Sequence, residues 1–230
     1  MMIRSFAIAL AVLVHPGAFA QSPANDAALT VLAEQAREAS GSPAVAVMLW
    51  QDGEVRIGVA GLRSADSDIA VTPDDLWHIG SDTKAMTATL VARLVEAGVI
   101  DWDDTIGDHL GGVVEDMDLA YPALSFRHLL SHRAGLPANI GMVDMIRFQM
   151  EGVSGRPMPE QRLDYATRML RTAPDAEPET DFLYSNAGYV IAGAMLEQAT
   201  GESWERLVAA QVFEPLGMVS AGFGPPGSNE

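Results

Sequence analysis

One Asp-Gly turn sets the constraint that the rest of this chain must satisfy. Ala44 to Trp50 and Val55 to Ala60 are short apolar runs flanking Gln51-Asp52-Gly53-Glu54. Asp-Gly between such runs is a strong hairpin signal, because a tight two-residue turn needs positive φ at its centre. No second hairpin of this quality follows, and most of the remaining pattern is helical. A two-stranded hairpin is marginal alone and usually requires further strands. The sheet therefore reads as unfinished within these 230 residues.

The helical segments have clear punctuation. Ala27 to Ala39 predicts a helix with Asn25 or Asp26 as N-cap. Residues 61–80 read as loop, with Thr72-Pro73-Asp74-Asp75 as a turn. Asp82 to Ala97 predicts a long helix stopped by Gly98. Phe126 to Ser131 predicts a short helix ended by Gly135 and Pro137. Met142 to Met150 and Pro159 to Arg171 predict two more. Residues 173–183 form a Pro- and acid-rich loop. Ala187 to Ala199 predicts a helix ending at Gly201, and Glu202 to Val212 the last one, before Pro215-Leu216-Gly217. There is no internal repeat.

Composition excludes several classes. Hydrophobic residues make up 48% and charged residues 20%, which is globular and not disordered usage. The length suits one domain, with room for two lobes on a shared core. A formal net charge of −17 argues against a nucleic-acid partner and disfavours anionic membrane surfaces. The chain has no Cys, so it has no disulfide framework, thiolate nucleophile, Cys-type zinc site or lipidation Cys.

Residues 1–20 read as an export signal. Arg4 supplies the positive start, Phe6 to Val14 the apolar stretch, and Ala18-Phe19-Ala20 the small-x-small cleavage site, with cleavage before Gln21. The apolar run is too short to span a bilayer. The expected organisation is a signal peptide over 1–20 and one partial domain over 21–230, exported and most simply periplasmic.

Two short motifs could carry chemistry. Lys84 is the one Lys among 14 basic residues, the others being Arg. It follows Ser81 by three positions, where a loop turns into the helix predicted from Asp82. Residues three apart on a helix share a face, so hydroxyl and amine can meet. A Ser hydroxyl is a weak nucleophile until a base takes its proton, and a neutral Lys is such a base. The bland alternative is a chance pairing with Lys84 solvated. Tyr184-Ser185-Asn186 is the second motif. A Tyr hydroxyl can relay a proton and an Asn amide can orient a substrate carbonyl. The alternative is that Tyr184 packs and Asn186 is the N-cap of the next helix.

Other patterns favour structural readings. His128 and His132 are four apart, but the Glu of the zinc-protease pattern is absent, so a structural role is preferred and no metal or cofactor is expected. Gly222-Phe223-Gly224-Pro225-Pro226-Gly227 matches a dinucleotide fingerprint in letters only, with no strand before it or helix after it. Asp101, Asp103 and Asp104 read as a capped turn, not a calcium site. There is no Gly-x-Ser-x-Gly elbow and no Walker loop.

Taken in order, these segments resemble a known family. Trp77-His78-Ile79-Gly80-Ser81-Asp82-Thr83-Lys84 resembles the active-serine segment of the serine β-lactamase and penicillin-binding-protein superfamily, whose S-x-x-K motif it carries. Tyr184-Ser185-Asn186 is similar to the Tyr-x-Asn motif of its class C branch. His128-Leu129-Leu130-Ser131-His132-Arg133-Ala134-Gly135-Leu136 resembles that branch's His-Leu-Leu-x-His-x-x-Gly-Leu segment. Tyr184 through Gly193 and Phe213-Glu214-Pro215-Leu216-Gly217-Met218 are similar too. The likeness covers most of residues 27–224.

The resemblance implies an α+β, β-lactamase/transpeptidase-like fold, an antiparallel sheet with a helical lobe, with later sheet strands missing from this chain. It implies that Ser81 attacks a carbonyl to form an acyl-enzyme. Lys84 and Tyr184 would share the base and acid roles, with no division between them given. Asn186 would contact the substrate amide or carbonyl, and the Ser81 N–H would form half of an oxyanion hole. Water would then release the acyl group. The partner implied is a small-molecule or peptide substrate.

The sequence also departs from the family. Its third motif, Lys-Thr-Gly or His-x-Gly, has no counterpart, since residues 185–230 contain neither Lys nor His. The chain is expected to be a truncated member. Trp77-His78-Ile79 stands where the class C segment usually carries an aromatic-Glu pair, so esterase or D,D-peptidase activity is expected at least as much as β-lactamase activity. A non-catalytic binding or regulatory module of the same fold is the alternative from another class.

Overall fold

The computed structural model describes residues 24–152 and 155–226. The expected signal segment over 1–20, and its cleavage position, lie outside the described residues. The chain divides into two compact units at Trp77 and His78.

In the first unit, α1 (Ala27–Ser40) is followed by β1 (Ala44–Gln51) and β2 (Glu54–Gly61). Asp26 caps α1, its carboxylate accepting from the Ala28 and Leu29 N–H groups, and Gly41 ends it at φ 67°. The strands pair antiparallel from Gln51↔Glu54 through Met48↔Ile57 to Ala44↔Gly61. Asp52 at φ 54° and Gly53 at φ 84° form the tight turn, the pair of positive angles that Asp-Gly accommodates. Among the described residues the sheet has these two strands. A helix supports them. α1 approaches so closely that a Cβ on Gly58 would lie 2.2 Å from the Leu29 carbonyl carbon, so this register demands glycine. The Asn25 side chain accepts the Val59 N–H at 3.0 Å, and Asp26 pairs with Arg56 at 2.7 Å. Met48, Trp50 and Val55 are exposed on the hairpin. The predicted turn at Thr72 closes through the Thr72 N–H on the Asp75 carboxylate at 2.7 Å.

The second unit is helical: α2 (Thr83–Glu96), α3 (Ile106–Leu110), α4 (Phe126–Leu130), α5 (Met142–Gly152), α6 (Met158–Leu170), α7 (Asn186–Thr200) and α8 (Trp204–Val208). α7 runs through its centre. Nine of its 15 residues are buried, so it is apolar nearly all round and lacks the single stripe of a surface helix. Ile191, Met195 and Leu196 meet Leu90 and Val91 of α2, Phe126 and Leu129 of α4, and Ala166 and Met169 of α6 in one core. Gly188 lets α7 approach α4, since a Cβ there would lie 3.3 Å from the Leu129 carbonyl oxygen.

The sequence pattern and the structure differ in three places. α2 begins one residue later than expected, because Gly80–Asp82 forms a 3₁₀ turn ahead of it. The last helix is not continuous: after Val208 the backbone widens into a π turn over Ala209–Phe213. α3 was not foreseen. Its five residues are too few to show periodicity, and a capping box holds it, with Thr105 Oγ1 accepting the Asp108 N–H at 3.1 Å and the Thr105 N–H donating to Asp108 at 2.9 Å. Just before it, Asp101 and Asp104 accept backbone N–H groups, which makes this acidic run a capped turn. At the far end Phe223 stacks against Phe213 and meets the edge of Trp204, so the glycine-rich segment packs on apolar rings. No helix among the described residues is long and apolar enough to cross a membrane.

Candidate active site

The site is built where α2 and α7 begin. Gly80, at φ 51°, turns the chain into the 3₁₀ turn that carries Ser81. One turn later Lys84 is half-buried on the same face of α2. Ser185 is the N-cap of α7, its Oγ accepting the Gly188 N–H at 3.2 Å and donating to the Pro137 carbonyl at 2.7 Å. The N-cap expected at Asn186 is thus supplied by its neighbour. Ser185 has the right hydroxyl and an extended backbone, which frees the Asn186 amide for other contacts.

All four candidate residues meet. The Ser81 and Tyr184 hydroxyl oxygens are 2.7 Å apart. Lys84 Nζ donates to Ser81 Oγ at 3.1 Å and to Asn186 Oδ1 at 2.7 Å. The ammonium also lies 4.8 Å from the Tyr184 ring centroid and 5.6 Å from that of Tyr189, within reach of both π faces. Its donation occupies one lone pair of Ser81 Oγ. The Ser81 proton is then free to point at Tyr184. The Lys84 ammonium and the Ser81 hydroxyl hold the Tyr184 phenol below the ordinary tyrosine range, because each favours the anion.

Sequence reasoning missed three contributors. Asn139 accepts from Asn186 Nδ2 at 3.1 Å, which sets the amide so that Oδ1 faces Lys84. Asn139 stands in a loop that carries no motif, so no local signal marks it. His132 carries no role from the sequence beyond its spacing from His128 and its place in the His-Leu-Leu-x-His-x-x-Gly-Leu segment. The structure turns the two apart: His128 Nδ1 accepts the Ser125 N–H at 3.0 Å, and His132 Nδ1 accepts the Ser185 N–H at 3.1 Å. α4 has ended by then, and His132 takes φ 60°, which costs a non-glycine residue about 1–2 kcal/mol.

The third is a cleft of about 260 Å³ lined by Lys84 and Thr87 of α2, Asn186 and Gly193 of α7, Arg162 of α6 and Trp204 of α8. Arg162 bonds Glu197 and, at 2.5 Å, Glu205, and its guanidinium lies 5.5 Å from the Trp204 ring centroid. The Trp204 N–H donates to Glu197 at 2.9 Å. Burial pushes the Glu197 carboxyl up, against the Trp204 N–H and the Arg162 charge that pull it down. A Cβ on Gly193 would lie 3.0 Å from Arg162 Cδ, so glycine here leaves the arginine its place.

This arrangement has relatives. Residues 29–230 match the family described as Beta-lactamase, so the chain belongs to the beta-lactamase family. It is 30% identical over 177 residues to penicillin-binding protein 4 of Amycolatopsis lactamdurans, covering 76% of this chain and 43% of that protein. It is 30% identical over 178 residues to the unguisins hydrolase ungD of Aspergillus violaceofuscus, covering 74% of this chain and 28% of that one. The crystal structure of a D-stereospecific amidohydrolase from Streptomyces sp. superposes with a TM-score of 0.66 at 28% identity, covering 84% of this chain and 55% of that one. The chain spans less than half the length of either of these curated relatives. The fold is that of the β-lactamase/transpeptidase group, with helices and a small antiparallel two-stranded sheet.

Proposed function

We propose that the chain carries the nucleophile half of a serine hydrolase that acts through an acyl-enzyme on amide, ester or β-lactam carbonyls. The observation that carries this reading is the closed set of contacts from Tyr184 through Ser81 and Lys84 to Asn186. In it Tyr184, as a phenolate stabilised by Lys84, takes the Ser81 proton on Oη as Oγ bonds to the carbonyl carbon, and the negative charge moves from the phenolate to the carbonyl oxygen. The same proton is then returned to the leaving amine or alcohol. Asn186 serves twice, holding Lys84 and facing the acyl group. The two relatives named as hydrolases support hydrolysis as the reaction class, and the penicillin-binding relative supports a penicillin as a first probe. The export signal expected over residues 1–20 supports a reaction outside the cytoplasm.

The test is intact mass spectrometry of the protein with and without a penicillin. One added probe mass, absent in Ser81→Ala, supports the reading. Labelling that persists in Ser81→Ala overturns Ser81 as nucleophile. No adduct with a penicillin, an activated ester or a D-amino-acid amide favours a non-catalytic module.

A further inference from the structure

His132 has no part in the chemistry just described, yet its imidazole lies against the residues that do. Its ring centroid is 4.5 Å from that of Tyr184 and 5.3 Å from that of Tyr189, and Phe182 meets it edge-on at 5.5 Å. Its Nδ1 accepts the Ser185 N–H at 3.1 Å. Ser185 is the residue between Tyr184 and Asn186, so this bond helps hold the backbone that aims both side chains, together with Ser185 Oγ on the Pro137 carbonyl and the Asn186 N–H on the Ala138 carbonyl. The backbone of His132 is tied down as well: its carbonyl accepts the Leu183 N–H at 2.8 Å. The Tyr189 hydroxyl behind the ring is anchored on the Leu130 carbonyl at 2.8 Å.

We infer that His132 is a positioning residue for Tyr184 and Asn186, and that it works only while its Nδ1 is unprotonated. The inference rests on the roles proposed above for those two residues. An imidazolium carries N–H on both nitrogens and accepts no hydrogen bond. Protonation would therefore set an N–H against the Ser185 N–H and release the turn that precedes α7. Among the described residues, the charge that acts on the ring is Lys84 of α2, and the titratable rings packed against it are Tyr184 and Tyr189. Burial first, then the Lys84 charge, push the imidazole below the ordinary histidine range, which keeps the acceptor form down to mildly acid pH. Acylation of Ser81 therefore weakens as pH falls through the His132 pKa, a step separate from the one set by ionisation of Tyr184.

The experiment compares wild type, His132→Asn and His132→Leu in the whole chain. Asn is the informative replacement, because Oδ1 can take the place of Nδ1 and Asn tolerates positive φ. Penicillin acylation is followed by mass spectrometry across pH, and nitrogen NMR of histidine-labelled protein gives the tautomer. Wild type should show an unprotonated Nδ1 at neutral pH and an additional fall in acylation as pH drops through the His132 pKa, beyond the fall set by Tyr184. His132→Leu should be slower by about tenfold above the His132 pKa, the effect of one lost hydrogen bond that orders the site, and should lose that deficit as wild-type His132 is protonated. His132→Asn should restore most of that rate and lack the histidine step. A protonated Nδ1 at neutral pH overturns the inference, as does an unchanged acid limb in His132→Asn. Absence of an adduct in wild type would count against the proposed function instead. The Asn186 side-chain amide resonance then decides His132: displaced in His132→Leu and native in His132→Asn supports positioning, and unmoved in both overturns it.

Discussion

Lys84 and Asn186 are 102 positions apart in the chain and joined by a 2.7 Å hydrogen bond from Nζ to Oδ1. Asn139 holds the other end of the same amide, so the carbonyl oxygen faces the ammonium and the NH₂ group faces away. The first turn of α2 is thereby tied to the first turn of α7 at the level of single atoms.

Breaking that tie should affect chemistry more than folding. Asn186→Ala leaves Lys84 without this acceptor. Hydrogen bonds to charged groups contribute about 1.5–3 kcal/mol, so acylation of Ser81 should slow by about tenfold to a hundredfold. Time-resolved mass spectrometry reads the rate. A thermal melt of the same variant should stay close to wild type, because the amide lies at the helix end and not in the core.

Ser81→Ala and Lys84→Ala should each abolish the acyl adduct with little change in melting temperature. Ser81 is exposed on a 3₁₀ turn and Lys84 is half-buried, so neither truncation opens a cavity in the core. Parallel labelling and melting experiments check both halves of the statement.

The Tyr184 phenol should ionise below the ordinary tyrosine value of 10.0, chiefly because of the Lys84 ammonium and then the Ser81 hydroxyl. Deprotonation makes it a better proton acceptor, so acylation should rise with pH through that lowered pKa. An ultraviolet difference titration shows the step directly, and Tyr184→Phe should remove both the step and the rise. In Lys84→Ala the step should move back towards higher pH.

Arg162→Ala should be strongly destabilising. It would leave Glu197 and Glu205 facing each other beneath Trp204, with the Arg162 and Glu197 side chains 11% and 6% exposed in the intact network. Removing one partner of a buried ion pair costs about 3–5 kcal/mol, measurable by chemical denaturation. Arg162→Lys should recover only part of this, because a single ammonium cannot serve two carboxylates as a guanidinium fork does.

Tyr121→Phe should do the reverse. The Tyr121 side chain is fully buried, and its hydroxyl has no hydrogen-bond partner among the described residues. Burial, then the charges of Asp118 and Asp175, push its phenol well above the ordinary range. Replacing an unsatisfied buried hydroxyl with hydrogen should raise stability by about 1 kcal/mol, seen as a higher denaturation midpoint.

Much of this architecture was legible along the chain. The Asp-Gly hairpin, an N-cap at Asn25 or Asp26, the glycine stops at Gly98 and Gly201 and most helix spans follow from interactions within a few residues. Short motifs in the right order identified Ser81, Lys84, Tyr184 and Asn186 as candidates, and their resemblance to a family supplied roles. α3 and the π turn after Val208 escaped notice, because one helical turn is too short for periodicity and a widened turn is set by its packing. The assignment of the α7 cap to Ser185 needed the backbone angles, since Ser185 and Asn186 are both good caps by residue type.

What the sequence by itself determined was local: which segments are helix or strand, where they stop, and which side chains are chemically able to react. The tertiary structure alone decided who meets whom. Asn139 became the holder of Asn186, His132 became the support of Ser185, and Arg162 became the link between two acidic side chains. Those partnerships join residues 47, 53, 35 and 43 positions apart. No pattern within a helical turn or a strand repeat reaches that far. They arise only when α2, α4, α6 and α7 close on a shared core and bring their ends together.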